Sequence, residues 1–516
     1  MIYRTHNCGE INKKLINKKV ILCGWIILIK KFKYIYIIYI KDFYNQIKLI
    51  LKKKDFIKKI KIKKGYLIRI IGIVKKSKLI NLNNKLLEIL VKKIFIINKS
   101  LNLPITYNKI RNSSKNLYKY RYLLFRDDKF IYILKYKNYL LHKLRNYLYK
   151  LNFLEIDTPV ISEYLSISGS KIFNILINNN KFELVQSPQI YKQLLMIGGI
   201  DKYYQIAKCF RNEDNRKDRS IEFTQLDFEF SFIKTKEIFL FTKKIIKYIF
   251  VNIFNKKLKK IKIITYNKVI KKYGTDKPNL YFNIKINKLL YNNKYIFYFF
   301  IKKKFIFLDK DILNIINKYK NILKCNNILY IYKKKHFINK LNFLKKNVLK
   351  IKKKYKYIFL IFNEKINKNV YLLIGEMITN INNILIKCNK YDIYYPIWIK
   401  NFPLFKIKNN KICSYHHPFT SPVNDNIKNN SLSKSYDLVI NGLEIASGSI
   451  RINKYKMQKK ILNLLIKKKY IKKYFNKFLK ALKYGTPPHG GIAFGLERIL
   501  SLLFNKNIKD IIPFPK

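Results

Sequence analysis

The chain has 516 residues, and its 109 lysines and arginines against 29 aspartates and glutamates give a formal net charge of +80. The length predicts two to four domains. A charge of this size usually indicates nucleic acid or an anionic surface, but the residues in excess (Lys, Ile, Asn, Tyr and Phe) have A/T-rich codons. Because drift in nucleotide composition explains most of it, the charge alone assigns no partner.

The six cysteines are scattered without a C-x-x-C pair, which argues against a zinc knuckle or a disulfide framework and for a reducing compartment. His416 and His417 have a single cysteine nearby, Cys413, and lack a spaced pair of acids, so we expect no zinc there. The N-terminus lacks the apolar segment of a signal peptide, and lysines interrupt the long apolar stretches. We therefore expect a cytoplasmic protein without a membrane span.

Residues 1–100 predict β structure. Five strands in this length fit a small closed barrel of the oligonucleotide-binding (OB) type, and another small β-sandwich is the alternative. Residues 102–116 then predict a linker. The five predicted strands are short runs rich in β-branched and aromatic residues, at 20–26, 34–42, 46–52, 66–74 and 86–97.

From residue 128 the apolar residues recur at helical spacing, and an extended segment follows at Thr158-Pro159, within FLEIDTPV. Residues 285–375 are dominated by Lys, Ile, Asn and Tyr and carry no recognisable chemical motif. We interpret them as an inserted domain.

The segments on either side of residues 211–220 alternate in the manner of strands and predict a hairpin with a long charged loop. Arg211 can hold an anion bidentately, and Glu213 can accept a hydrogen bond from an amine. Arg219 and Phe223 offer a second phosphate contact and an aromatic face. A salt-bridged structural hairpin is the alternative. The hairpin concentrates six acids in a chain that is otherwise poor in them: Glu213, Asp214, Asp218, Glu222, Asp227 and Glu229.

The segment 436–452, YDLVINGLEIASGSIRI, places Asp437, Glu444 and Arg451 at intervals of seven residues. Two carboxylates near a phosphate site can hold Mg²⁺, which prefers oxygen ligands and keeps several waters. The small residues of ASGS leave room for a substrate, and Arg451 beyond them can recognise a small carboxylate.

The stretch 484–504, YGTPPHGGIAFGLERILSLLF, predicts a glycine turn, a short strand and a helix that begins near Gly495. A helix N-terminus favours phosphate, and Arg498 on the first turn adds a guanidinium cation that can donate two hydrogen bonds to it. For this segment alone, an arginine on the protein surface is the alternative.

Together these segments resemble the class II aminoacyl-tRNA synthetases. FLEIDTPV is similar to motif 1, FRNED…RSIEF to motif 2 and GIAFGLERIL to motif 3. Further stretches, among them THNCGEI, QSPQIYKQLLM, YGTDKPNL, HHPFTSP and IIPFPK, resemble the bacterial-type aspartyl-tRNA synthetase family. The resemblance runs from residue 4 to residue 516 in the family's order and thins only across 285–375.

The resemblance implies an α+β fold with an N-terminal OB-fold barrel that binds the anticodon (1–103) and a hinge (104–127). It implies a class II catalytic domain on an antiparallel sheet, in two parts at 128–284 and 376–516, with a reduced inserted α+β domain at 285–375. Because motif 1 of this class lies at a two-fold interface, the resemblance also implies a homodimer.

The implied reaction has two steps: L-aspartate and ATP form aspartyl-adenylate and pyrophosphate, and the aspartyl group then passes to the 3′ end of tRNA-Asp. Arg211 and Arg498 are the implied catalytic residues, since this chemistry needs positioning and charge stabilisation. The resemblance assigns ATP to Arg211, Asn212, Glu213, Arg219, Phe223, Glu444, Gly495, Leu496, Glu497 and Arg498.

Lys192 and Arg451 are implied to face the side-chain carboxylate of aspartate, whereas an asparagine site would need a neutral partner. Asp437 and Glu444 are implied to hold Mg²⁺. The residues assigned to L-aspartate are Gln189, Ile190, Tyr191, Lys192, Arg211, Asp227, His416 and Arg451.

Four positions depart from the family pattern. Ser168 replaces a glutamate that meets the substrate ammonium, and Ser220 replaces a glutamine that contacts ATP. Ile37 and Lys48 stand where the barrel would carry an anticodon-stacking phenylalanine and a base-reading glutamine. An enzyme that charges both tRNA-Asp and tRNA-Asn is therefore an open alternative, and a degenerate RNA-binding relative is another.

Overall fold

The protein is described by a computed structural model that covers residues 3–52, 62–77, 87–104, 118–163, 172–212, 219–291, 294–302, 305, 309–322, 328–331, 355–363, 368–408 and 410–516. The chain forms two compact units, Met1–Tyr136 and Lys137–Lys516. Four residues singled out above lie outside the described ranges: Ser168, Glu213, Asp214 and Asp218.

The first unit contains a closed five-stranded barrel, which confirms the predicted OB-type fold. Buried and more exposed positions alternate along its strands because one face of each strand points into the barrel, where branched aliphatic side chains form the core. Neighbouring strands are antiparallel except for one parallel pair, Gln46–Lys52 with Leu87–Asn98. In barrel order the strands are Lys19–Lys31, Ile35–Lys41, Gln46–Lys52, Leu87–Asn98 and Leu67–Lys76.

The second unit is built on an eight-stranded sheet. The sheet is antiparallel except at its edges, where one strand on each side pairs in parallel with its neighbour. This arrangement confirms the antiparallel catalytic sheet that the resemblance implies. In sheet order the strands are Lys262–Thr265, Pro396–Lys400, Ser435–Ile440, Leu443–Ile450, His489–Gly495, Glu222–Ser231, Lys202–Phe210 and Leu154–Glu155.

The helix Asp128–Tyr149 follows the predicted helical spacing, and Leu496–Phe504 begins directly after Gly495, as predicted. A 3₁₀ turn (Lys13–Leu15) and a π-helical turn (Tyr248–Ile253) add to the helices. The other helices of the described residues are Arg121–Leu124, Gln189–Ile197, Thr235–Lys247, Tyr266–Tyr273, Asp309–Ile322, Lys368–Cys388, Tyr455–Leu465, Lys468–Tyr474, Asn476–Ala481 and Ile508–Ile511.

The inserted region has α+β structure, as expected. Its four antiparallel strands are accompanied by the helices Asp309–Ile322 and Lys368–Cys388, and its buried core extends from Phe282 to Leu385. The second helix continues past residue 375, the predicted end of the insertion. In sheet order the strands are Asn287–Tyr291, Lys294–Lys302, Tyr355–Asn363 and Ile328–Ile331.

Three small sheets complete the described strands. They are Ile161–Ser162 with Asn180–Leu184 and Asn174–Ile177, Lys257–Leu258 with Ile393–Tyr394, and Phe405–Lys408 with Lys411–Ser414. Across the residues that the structure describes, no helix combines the length and apolar character needed to cross a lipid bilayer.

Candidate active site

A cavity of about 500 Å³ lies in the second unit, where the strands Leu443–Ile450, His489–Gly495 and Glu222–Ser231 run side by side. Side chains from all three strands line it, together with residues of the loops around them. Ser220 is also part of the lining. Most residues predicted from the sequence meet here: Gln189, Lys192, Arg211, Arg219, Phe223, Asp227, His416, Glu444, Arg451, Gly495, Glu497 and Arg498.

The predicted hairpin carries one wall of the cavity. Its strands Lys202–Phe210 and Glu222–Ser231 pair antiparallel, and Arg211 follows the first strand directly. The backbone N–H of Arg211 donates to the Ile221 carbonyl oxygen (2.9 Å). Its guanidinium lies 4.9 Å from the centre of the Phe223 ring, within the range of a cation–π attraction. The hairpin therefore brings a fixed cation and an aromatic face together.

Two acids of the strand Glu222–Ser231 are fully buried. Asp227 and Glu229 are two residues apart, so their side chains leave the strand on the same face. Lys192 Nζ lies 2.8 Å from Asp227 Oδ1 and 3.1 Å from Glu229 Oε2. Arg451 Nε and Nη2 donate to the two Glu229 oxygens at 2.8 and 3.0 Å. Glu229 thus holds both cations that the sequence assigns to the aspartate side chain.

The two acids ionise differently. Burial raises the pKa of Asp227 above its ordinary value, and the nearby Lys192 opposes this rise only in part. Burial alone would raise the pKa of Glu229 too, but Arg451 and Lys192 lower it to about 2. Glu229 is therefore the anion shared by the two cations. Of the two acids, Asp227 is the one whose ionised form a further cation would stabilise more.

Three buried polar atoms on residues of the cavity wall have no hydrogen-bond partner among the described residues: Gln189 Nε2, Asp227 Oδ2 and His416 Nε2. A buried polar atom without a partner is unfavourable unless a ligand or water pairs with it. Burial lowers the pKa of His416 to about 4, so its imidazole is neutral near pH 7. The wall therefore offers a polar ligand an amide donor, an acidic acceptor and a neutral imidazole.

Arg451 is also held from its other side. Its Nη1 donates to Ser449 Oγ (2.6 Å) and lies 2.7 Å from His417 Nε2. Burial and the adjacent Arg451 keep the pKa of His417 well below its usual range, so the neutral ring accepts this bond. With the two bonds to Glu229, these contacts use four of the five guanidinium N–H donors. The fifth N–H has no partner among the residues that the structure describes, so it can donate to a ligand.

The carboxylates predicted to bind Mg²⁺ lie on neighbouring strands. Glu444 Oε2 is 2.8 Å from Lys277 Nζ, and its Oε1 is 3.3 Å from Arg498 Nη1. Asp437 is buried, and its Oδ1 has no partner among the described residues. Burial and the nearby Glu444 raise the pKa of Asp437, whereas Lys277 and Arg498 outweigh burial and lower the pKa of Glu444.

This donor set fits Mg²⁺, because it consists of carboxylate oxygens and one of them is unpaired. In the part of the chain that the structure describes, no three or more His, Cys, Asp or Glu side chains form a metal-binding group. Two carboxylates suffice for an ion that completes its shell with substrate phosphates and water.

Helix geometry separates the four consecutive residues 189–192. Ile190 packs in an apolar cluster with Phe419, and the Tyr191 hydroxyl donates to Ser162 Oγ (3.4 Å). A helix with 3.6 residues per turn cannot present four successive side chains to one side, so only Gln189 and Lys192 line the cavity.

Three further predicted residues, Asn212, Asp437 and Leu496, are not among the lining side chains. Asn212 is exposed and Leu496 is fully buried. Glu497 does line the cavity, but the protein itself engages both carboxylate oxygens: Oε1 accepts from Lys137 Nζ and Oε2 from the Thr224 backbone N–H, each at 2.9 Å. Through these bonds Glu497 connects its own helix, Leu496–Phe504, to the strand Glu222–Ser231 and to the helix Asp128–Tyr149.

Glu229, Lys277 and His417 are among the residues of the site that have no role in the sequence-based assignment. Glu229 is two positions after Asp227 on a predicted strand, so the sequence could have indicated that both side chains lie on the same face. Lys277 lies in YGTDKPNL, a stretch typical of the family. His417 is next to a predicted site residue, and only its contact with Arg451 distinguishes it.

The family model of the class II tRNA synthetases (D, K and N) matches residues 113–516. The "Aspartate--tRNA ligase" of Buchnera aphidicola subsp. Schizaphis graminum is 38% identical, over 99% of this chain and 95% of that protein. The "Aspartate--tRNA(Asp/Asn) ligase" of Borreliella afzelii is 36% identical, over 100% and 94%.

Among solved structures, the asparaginyl-tRNA synthetase from Pyrococcus horikoshii complexed with asparaginyl-adenylate is similar with a TM-score of 0.65. It is 18% identical and the match covers 100% of this chain and 98% of that one, so it supports the fold alone. The family match and the full-length relatives show that the chain belongs to the class II tRNA synthetases, and within them to the aspartyl-tRNA synthetases.

Proposed function

We propose that the cavity activates L-aspartate with ATP and that the aspartyl group is then passed to the 3′ end of tRNA-Asp. Membership of the aspartyl-tRNA synthetases supports the reaction. The assignment of aspartate as the amino acid rests on one observation, the buried group of Lys192, Asp227, Glu229 and Arg451. All of these except Glu229 line the cavity.

The charges of this group favour aspartate. By itself it holds two cations and two carboxylates. Aspartate brings an ammonium for the unpaired Asp227 oxygen and a carboxylate for Lys192 and Arg451, so that three positive charges meet three negative ones. Asparagine would leave one buried positive charge without a partner, which is strongly unfavourable.

The ATP phosphates would lie against Arg211, Arg219 and Arg498, which line the same cavity. In the first step an oxygen of the aspartate α-carboxylate attacks the α-phosphorus, the bond to the bridging oxygen breaks, and pyrophosphate leaves with that electron pair. In the second step a ribose hydroxyl at the tRNA 3′ end attacks the acyl carbon and AMP leaves. The arginines act by positioning the reactants and stabilising charge.

Adenine would stack on the face of Phe223 opposite Arg211. Asp437 and Glu444 would hold Mg²⁺ beside the phosphates. When bound, this ion supplies positive charge that neutralises the phosphate oxygens.

The test is ATP–pyrophosphate exchange with the purified full-length protein, screened over all twenty amino acids. We expect exchange with aspartate and none above background with asparagine or lysine. Exchange with asparagine or lysine but not aspartate would overturn the assignment of Lys192 and Arg451. No exchange with any amino acid, by a folded protein, would instead favour the RNA-binding alternative.

A second candidate is an enzyme that charges both tRNA-Asp and tRNA-Asn. The altered barrel positions favour it: Lys48 Nζ is bound to Glu88 Oε2 at 2.7 Å, and Ile37 is 8% exposed. Neither side chain is therefore available as an open contact for an anticodon base. Transcripts of both tRNAs, offered to the same preparation, separate the candidates, because charging of tRNA-Asp alone rules out the relaxed enzyme.

We also propose a cytoplasmic homodimer. The extended segment of motif 1 exposes Leu154 (52%), Val160 (40%) and Ile161 (43%), an apolar group suited to a partner surface. Light scattering on the protein as it elutes from a size-exclusion column measures the molar mass and therefore the oligomeric state. A monomer at micromolar concentration would contradict the proposed dimer.

A further inference from the structure

Lys277 lies in a loop that is anchored on both sides. Gly274 begins the loop in the left-handed region (φ 67°), and a Cβ there would overlap the backbone of Gly375. On the other side, Asn279 Nδ2 donates to the Tyr391 hydroxyl (3.0 Å). The backbone is therefore fixed where the Lys277 side chain enters the cavity.

The ammonium of Lys277 occupies one oxygen of a predicted metal ligand. Its Nζ is 2.8 Å from Glu444 Oε2, while Arg498 Nη1 is 3.3 Å from Oε1. Each carboxylate oxygen of Glu444 thus faces a protein cation. The side chain of Lys277 is 35% exposed, whereas that of Lys192 in the aspartate-side group is 2% exposed. Lys277 has room to change partners and Lys192 does not.

A divalent cation and Lys277 compete for the same oxygen. Mg²⁺ binds carboxylate oxygens at about 2.0–2.1 Å, so on Glu444 Oε2 it would lie close to an ammonium that is 2.8 Å from the same atom. Two positive charges at this separation repel strongly. The triphosphate of ATP, in the same cavity, would give the displaced ammonium a new anionic partner.

We propose that Lys277 is the resident counter-ion of Glu444 and that it exchanges this carboxylate for a phosphate oxygen of ATP when Mg²⁺ binds. Lys277 thereby keeps Glu444 neutralised before the metal arrives and contributes to the ATP site afterwards. The inference rests on the proposed function, since it requires ATP and Mg²⁺ in this cavity.

The first test measures metal binding without ATP. Mn²⁺ serves as the probe, and electron paramagnetic resonance counts the free ion in titrations of wild type, Lys277→Met and Lys272→Met. Lys272 is an exposed lysine on the preceding helix, so its variant loses the same charge away from the cavity. We expect Lys277→Met to bind Mn²⁺ about three- to tenfold more tightly, with no change for Lys272→Met. Unchanged or weaker binding by Lys277→Met would overturn the competition.

The second test measures ATP binding by calorimetry at saturating Mg²⁺. We expect Lys277→Met to bind ATP about tenfold more weakly than wild type and Lys272→Met to match wild type. Equal ATP affinity in all three proteins would overturn the phosphate contact. A wild-type protein that binds no ATP would overturn the proposed function itself, and a thermal melt of each variant identifies any failure to fold.

Discussion

Glu229 is the residue on which the aspartate-side group depends. Its carboxylate accepts from Lys192 Nζ at 3.1 Å and from Arg451 Nε and Nη2 at 2.8 and 3.0 Å, so it sets the positions of two cations at once. It is not among the residues that line the cavity, and its effect on a substrate is therefore indirect. Such a positioning residue should show itself in stability as well as in binding.

Replacement of Glu229 by Gln should destabilise the second unit in a pH-dependent way. The folded pKa of about 2 lies below the ordinary 4.5, so the stabilisation is fully present above pH 4.5 and is lost as pH falls toward 2. We expect a difference of about 3 kcal/mol in the free energy of unfolding at pH 7. Glu229 is one cause of the raised pKa of Asp227, so the variant should also lower the pKa of Asp227.

Urea unfolding followed by Trp398 fluorescence measures this difference. Trp398 is buried in the second unit, and a Trp25→Phe background makes it the sole tryptophan of the chain. A difference between wild type and Glu229→Gln that stays constant from pH 7 to pH 3 would contradict the shared-anion role.

Replacement of Arg451 by Gln should separate the two substrates. It removes a cation proposed to face the aspartate carboxylate, so we expect aspartate binding to weaken about 100-fold or more and ATP binding to change by less than about threefold. Calorimetry with each ligand measures both. Arg145→Gln is the matched control, because this arginine pairs with Glu155 at an exposed site (50% exposed). Equal loss of aspartate and ATP affinity would mean that Arg451 has a different role.

Among the elements, the motif 3 strand (His489–Gly495) lies so close to the motif 2 strand (Glu222–Ser231) that a side chain would not fit at Gly491. A Cβ on Gly491 would overlap the Glu229 carboxylate and the Phe228 carbonyl oxygen. The glycines of PPHGGIAFG therefore allow the two strands to pack around a buried acid. Strand geometry and the charge group are thus linked at one position.

Gly491→Ala should destabilise the protein by about 1–3 kcal/mol, because backbone atoms cannot move aside as a flexible side chain can. It should also weaken aspartate binding, since the displaced carboxylate is that of Glu229. Gly198→Ala is the control: its nearest neighbours would lie at 3.4 Å, an ordinary contact, so we expect a change within about 0.5 kcal/mol. The urea midpoints of both variants measure these changes in stability. Equal stability of Gly491→Ala and Gly198→Ala would contradict the close approach of the two strands at Gly491.

The elements themselves follow from local patterns. The strand Gln46–Lys52 matches its predicted range at both ends, because apolar alternation and polar flanks lie within the segment. The partners of the site do not follow in this way. Glu229 meets Arg451 across 222 residues, and that meeting depends on sheet register, which no local pattern contains. The consecutive residues 189–192 were assigned as a set, and helix rotation divides them.

Over the whole molecule, the net charge of the chain and the charge balance of the candidate site differ. The formal charge of +80 is spread over the chain, whereas the buried group in the candidate site pairs two cations, Lys192 and Arg451, with two acids, Asp227 and Glu229. Contacts between lysines and nucleic-acid phosphates release counter-ions and weaken steeply with salt. Buried pairs are screened much less. Salt should therefore act differently on tRNA binding and on amino-acid activation.

Between 50 and 200 mM KCl we expect tRNA affinity to fall about 10³-fold, as for a protein that makes about six phosphate contacts. Aspartate-dependent pyrophosphate exchange should change by less than about threefold over the same range, because its small substrates bind among partly buried charges. Fluorescence anisotropy with labelled tRNA and an exchange assay in matched buffers give the two salt slopes. The ratio of affinities for tRNA-Asp and an unrelated tRNA should rise with salt, since the shared electrostatic contribution weakens while base-specific contacts persist. If exchange fell in parallel with tRNA binding, the small substrates would be held by the same diffuse positive charge, and the selectivity assigned to Lys192 and Arg451 would lose its basis.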